Sequence, residues 1–144
     1  RASFAAYTTP AEVDALLAES PAELFRIVVA HHHIVRPDGV ECEHPAWRSA
    51  EAIARWGTGR VERVLSGHLH QARELRPFGD DGFLALHTGT TSSSRGRGPE
   101  AGRNSLHWIE IGHGSFRVER HFWEGAAGRF ELARDQRFRR RPPR

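Results

Sequence analysis

Five histidines fall in two short stretches, each at the end of an apolar run. These are Arg26-Ile27-Val28-Val29-Ala30-His31-His32-His33 and Val64-Leu65-Ser66-Gly67-His68-Leu69-His70-Gln71. Neutral imidazole is the commonest metal-ligating side chain, and ligands in open α/β sheets bind where strands end. The two stretches therefore predict a metal site built on strand ends. In an extended segment His68 and His70, at i and i+2, point the same way with Cα atoms about 6–7 Å apart. Gly67, lacking a Cβ, is expected to let the backbone approach closely there.

The flanking sequence supplies the elements to hold them. Thr9-Pro10-Ala11-Glu12 has the residues of a capped helix start. Val13, Leu16 and Leu17 then share a face, predicting a helix over 10–19 that ends at Ser20-Pro21. Leu24 to Ala30 reads as a strand covered on both faces. Residues 31–46 read as a long loop with a turn at Pro37-Asp38-Gly39. Trp47 to Trp56 reads as a second helix, with Trp47, Ala50, Ile53 and Ala54 inward and Gly57-Thr58-Gly59 closing it. Val61 to Ser66 is the next strand. Strand, helix, strand implies a crossover with parallel strands.

After His70 the pattern turns to strands: 73–78, 83–87, 105–111, 115–122 and a short 129–133. Gly79-Asp80-Asp81-Gly82 and Gly112-His113-Gly114 are the expected tight turns. Residues 89–104 form a Ser/Thr/Gly/Arg loop, a length often associated with function. Arg95 and Arg97 within it are candidate substrate-binding residues, since guanidinium groups bind phosphate bidentately. Trp47, Trp56, Trp108 and Trp123 are expected in the core or packed against helices.

At 144 residues the chain has the length of one domain, and 38% hydrophobic content suits a globular fold. No apolar run is long enough to span a bilayer, and no signal-peptide pattern is visible. The chain starts at Arg1 and has no Met, so it is expected to be an incomplete reading frame. All 21 basic residues are Arg. Residues 134–144 hold six of them against Asp135, a net charge of +5, so with a total of +3 residues 1–133 sum to −2. That segment, ending in Pro142-Pro143-Arg144, is expected to be a disordered basic tail. Such a tail raises nucleic-acid binding as a rival function, which the lack of interleaved aromatics disfavours. Cys42, the one cysteine, cannot form an internal disulfide, which fits a reducing, cytoplasmic setting.

Val28-Val29-Ala30-His31-His32-His33 followed by Ser66-Gly67-His68-Leu69-His70 resembles the last two motifs of the calcineurin-like metallophosphoesterases. Thr88-Gly89-Thr90-Thr91-Ser92-Ser93-Ser94-Arg95-Gly96-Arg97-Gly98 and Asn104-Ser105-Leu106-His107-Trp108-Ile109-Glu110-Ile111 extend the resemblance to bacterial members similar to class III cyclic-nucleotide phosphodiesterases. The resemblance covers residues 10 to 133 and only the C-terminal half of the family domain. It implies an α/β fold, the C-terminal half of a β-sandwich flanked by helices, with residues 1–133 in one domain. It further implies that His31, His68 and His70 ligate metal, while His32 and His33 stand where the family has His-Pro and inherit no ligand role. Two divalent transition-metal ions (Mn, Fe, Zn or Co), about 3.5–4 Å apart, would clamp a phosphoryl group in the complete domain.

The chain departs from the family upstream. No Asp-x-His occurs, the sole Asn is Asn104, and Gly79-Asp80 follows the histidines instead of preceding them. No residue inherits a catalytic role. The function implied is hydrolysis of a small-molecule phosphoester, phosphodiesters and cyclic nucleotides first, with an N-terminal half or a second chain completing the site. The alternatives are a phosphomonoesterase or a catalytically dead remnant that acts as a binding module.

Overall fold

The computed structural model describes residues 10–37, 44–57, 61–79, 82–93 and 95–140. Helix α1 (Pro10–Glu19) is followed by strand β1 (Ile27–Ala30), helix α2 (Ser49–Gly57), β2 (Arg63–Ser66), β3 (Arg73–Leu75) and β4 (Leu84–His87). A 3-10 turn at Gly98–Glu100 precedes β5 (Ser105–Ile111), β6 (Ser115–Glu124) and β7 (Arg129–Arg139). Four strands form one sheet in the order β1-β2-β4-β3, and β5-β6-β7 form a second. β1, β2 and β4 are parallel, with Ala30 beside Ser66 and Ser66 beside His87 at their C-terminal ends. The strand-helix-strand crossover therefore joins parallel strands, as expected.

Period-two alternation divides the core into two layers. Val64 and Ala85 face the helices, joining Leu17, Ile34, Trp56, Val61 and Phe83. Leu84 and Leu86 face the second sheet and meet Phe116 and Val118, with Leu65, Ile109 and Phe138 packed against them. The result is an α/β/β stack: helices, a mixed sheet, then an antiparallel sheet. Arg55 pairs with Asp14, tying α2 to α1.

Several expectations need correction. β1 is not covered on both faces. It is the edge strand of its sheet, and while Val28 and Ala30 pack toward the helices, Val29 is 74% exposed. Trp47 precedes α2 and is 89% exposed, with Arg48 stacked over its ring, so it is not an inward helix residue. Trp108 and Trp123 are also exposed, because the outer face of the antiparallel sheet has no cover; Trp56 alone among the four is buried. Asp38, Gly39, Cys42, Thr58, Gly59, Asp80 and Asp81, on which turn and loop expectations fall, lie outside the described residues.

The basic tail needs correction over its first part, while its end at Pro142-Pro143-Arg144 lies outside the described residues. Residues 134–139 continue β7 and pair with β6, from Arg134 beside Arg120 to Arg139 beside Ser115. A register shift near Arg120/His121 leaves Ala133 as an added residue, which reverses the alternation at that point. Beyond it Arg134, Gln136 and Phe138 share the inner face. Phe138 stacks on Phe116 at 4.8 Å, and Arg134 reaches Glu74 of β3 at 3.0 Å. Asp135 and Arg117 bond bidentately on the outer face, and that hydrogen bond holds the Asp135 carboxyl below its usual range.

Candidate metal centre

His31 leaves β1 directly after Ala30, and His68 follows β2 after Gly67. The Gly67 N–H donates to the His31 carbonyl at 3.2 Å, and the Thr88 N–H donates to Ser66 at 2.7 Å. Three adjacent strand ends are thereby tied into one rim. His68 and His70 both adopt left-handed backbone, with φ of 67° and 55°. Between them the Leu69 N–H reaches back to the Gly67 carbonyl at 2.8 Å, closing a three-residue turn. Left-handed non-glycine residues are uncommon and cluster at functional sites.

That turn overturns the extended geometry expected of His68 and His70, and the two imidazoles part. His68 turns toward His31 and His32: the ring centroids lie 5.3 Å from His31 and 4.3 Å from His32, and His31 and His32 are 5.0 Å apart. One ligand atom from each of the three lies within 4.8 Å of the others. His70 stands outside this group, its Nδ1 at 3.1 Å from the Arg95 carbonyl. The backbone repeats the link, the Arg97 N–H donating to the His70 carbonyl at 3.1 Å. His70 therefore anchors the 89–104 loop, and Arg95 and Arg97 hold exposed positions on it. The expected role of Gly67 also falls, since a Cβ there would meet its neighbours at an ordinary 3.8 Å.

The triplet His31-His32-His33 divides. The chain bends at His31 and His32, bringing two successive side chains to one place, which an extended strand cannot do. His33 instead points inward and is fully buried, its ring 6.0 Å from that of His87 at the end of β4. His87 is also fully buried, and its pKa is pushed down to about 4 by burial first, then by His33, Arg73 and His107, against a backbone contact with Val35 that raises it. The signal for His32 was the bend itself: a triplet beginning where the strand ends.

Three imidazole nitrogens fit one divalent transition-metal ion. In a tetrahedral site with metal–nitrogen bonds of about 2.0–2.1 Å the donors stand roughly 3.3 Å apart, within a side-chain rotation of the observed spacing. Three protein ligands with a fourth position open is the arrangement of catalytic zinc sites. Among the described residues no carboxylate joins the group, so a bridged pair of ions has no support from it.

A second polar cluster lies between the sheets. Glu74 on β3 meets His107 on β5 at 3.3 Å, Arg134 on β7 at 3.0 Å and Arg120 on β6 at 3.8 Å. Burial alone would raise the Glu74 pKa, but the His107 hydrogen bond and the charges of Arg120, His107 and Arg134 hold it below the usual range. Nearby, the buried Glu100 carboxylate accepts from the Ala72 N–H and the Ser105 hydroxyl, both at 2.8 Å, fixing the end of the long loop. Both clusters brace the fold around the rim.

No family model and no curated protein matches the chain. Solved structures do. Vps29 from Chaetomium thermophilum superposes with a TM-score of 0.50 at 9% identity, over 81% of this chain and 54% of that one. The same protein complexed with a cyclic peptide gives a TM-score of 0.50 at 12% identity, over 81% and 58%. A predicted phosphoesterase from Streptococcus pneumoniae gives 0.43 at 20% identity, over 66% and 48%. The chain spans about half the length of the structures it matches. The likeness at a TM-score of 0.50 is one of fold: two packed sheets flanked by helices, a metallophosphoesterase-type α/β architecture.

Proposed function

We propose that this chain is the histidine-bearing part of a metal-dependent phosphoesterase. The observation that carries it is the convergence of His31, His32 and His68 at the C-terminal ends of parallel β1 and β2. His31 and His68 keep the ligand roles that the family resemblance implies, and His32 takes the third place instead of His70. When bound there, a divalent ion (Mn, Fe, Zn or Co) supplies electrostatic stabilisation to phosphoryl oxygens. His70 holds the 89–104 loop at the rim, from which Arg95 and Arg97 engage the phosphate of a small-molecule substrate. Phosphodiesters, cyclic nucleotides among them, are the first class to assay, and phosphomonoesters the second.

The missing carboxylates define the partner. An N-terminal half, or a second chain, brings them to the rim and completes the active enzyme, in a bacterial cytoplasm as the single cysteine suits. A catalytically inert binding module is favoured instead by one observation, the absence of a carboxylate from the histidine group among the described residues.

Elemental mass spectrometry on the purified chain tests the site. A single ion per chain is expected, with affinity falling at least about tenfold in His68→Ala and His32→Ala and staying near wild type in His70→Ala. Loss of metal in H70A with retention in H32A would restore the original ligand set. No stoichiometric metal in the wild type would leave the binding-module reading.

A further inference from the structure

We propose a second ligand site in this protein: an arginine-lined pocket, at the end of the sandwich away from the histidines, that binds the phosphate groups of a small polyanion. The pocket lies where β2 and β4 begin and β7 ends, and encloses about 300 Å³, room for a small molecule. Arg63, Arg76, Arg137 and Arg139 line it.

Two of the four arginines hold their guanidinium groups against aromatic rings. Phe116 and Phe138 stack face to face at 4.8 Å and 5°. The Arg63 guanidinium lies 3.1 Å from the Phe116 ring centroid, and that of Arg76 lies 4.7 Å from Phe138. Arg63 also lies 5.4 Å from the Phe25 ring and 5.9 Å from that of Phe138, so it sits beside the stacked pair. Arg63 itself is only 5% exposed. Stacking on ring faces fixes the planar forks and lowers the entropy lost when they bond an anion. Arg137 and Arg139 follow Asp135 on the outer face of the last strand and are exposed there, adding positive charge beside the mouth.

The one carboxylate among the described lining residues is already engaged. Glu62 Oε2 accepts the Arg26 N–H at 2.7 Å, and its Oε1 lies 3.6 Å from the Arg140 guanidinium. Among the described lining residues four arginines stand against that one carboxylate, an excess of positive charge. Guanidinium forks match phosphate oxygens bidentately, and several together favour a multiply charged ligand over a lone carboxylate. The site needs no metal and shares no residue with His31, His32 or His68.

Pyrophosphate is the probe, titrated into the full chain by calorimetry and followed by amide NMR. Saturable binding is expected, weakening as salt rises, with amide shifts centred on Gly79, Gly82 and Phe138. Arg76→Ala and Arg137→Ala should each weaken it about tenfold or more, and His68→Ala should leave it unchanged. If R76A disturbs folding by circular dichroism, Arg139→Gln replaces it with the same expected direction. Absence of binding at millimolar pyrophosphate would overturn the proposal, as would equal binding by the arginine variants. Shifts centred on His31 and His68, with loss in H68A, would also overturn it, by assigning the anion to the metal centre.

Discussion

His87 shows what a buried imidazole does when its neighbours are cations and other imidazoles. It is fully buried, and its pKa of about 4 lies below the ordinary 6.5. An unfolded chain therefore takes up the proton first as pH falls. The stability that rests on neutral His87 is complete above pH 6.5 and lost progressively down to pH 4. A shift of this size corresponds to roughly 3 kcal/mol over the whole window, of which about 2 kcal/mol is gone by pH 5. His87→Leu should remove that dependence, so denaturant unfolding at pH 7 and pH 5 should give a smaller drop for H87L than for wild type. Equal drops would place the sensitivity on groups other than His87, and not on Glu74, whose lowered pKa costs stability only at more acid pH. Because His33 joins His87 to the histidine rim, residue-level acid sensitivity and site geometry are adjacent in space.

β7 is where element-level reasoning from sequence fails most instructively. α1, β5 and the parallel crossover were legible because each has a clean start signal or an unbroken period. Residues 134–139 were not, since one aromatic among arginines does not announce a strand. Their inner face is satisfied by a distant carboxylate, Glu74, and by one stacked ring pair, both tertiary. The added residue Ala133 also breaks the alternation that would have revealed the strand. The charged outer face is what an edge strand requires to resist further pairing. The same limit applied to the site: the strand ends were legible, but a backbone turn at Gly67–Leu69 decided which histidines meet. Phe138 is the element's anchor, and Phe138→Ala should cost up to about 3 kcal/mol by removing the stack on Phe116. A thermal melt or urea titration unchanged by F138A would mean that residues 134–139 do not hold the sheet in solution.

At the scale of the molecule, the consequential surface is the outer edge of β1, which pairs with no further strand among the described residues. It carries Ile27 and Val29 exposed, with Leu24 exposed just before it, and it ends two residues beyond Val29 at the first metal-ligand candidate. An unpaired edge with apolar side chains is a template for another strand. A strand added there would run its end beside His31, where the histidine group lacks carboxylates among the described residues. Completion of the sheet and completion of the site are thus one event under the proposed function. Without such a partner the chain should pair with itself. Light scattering on a concentration series is expected to show association for the wild type and a shift toward monomer for Val29→Lys, which places a charge on the edge without touching a histidine. V29K should bind metal as the wild type does. A wild-type monomer at all concentrations would show that the edge is protected, and the missing carboxylates would then have to reach the rim from a direction other than β1.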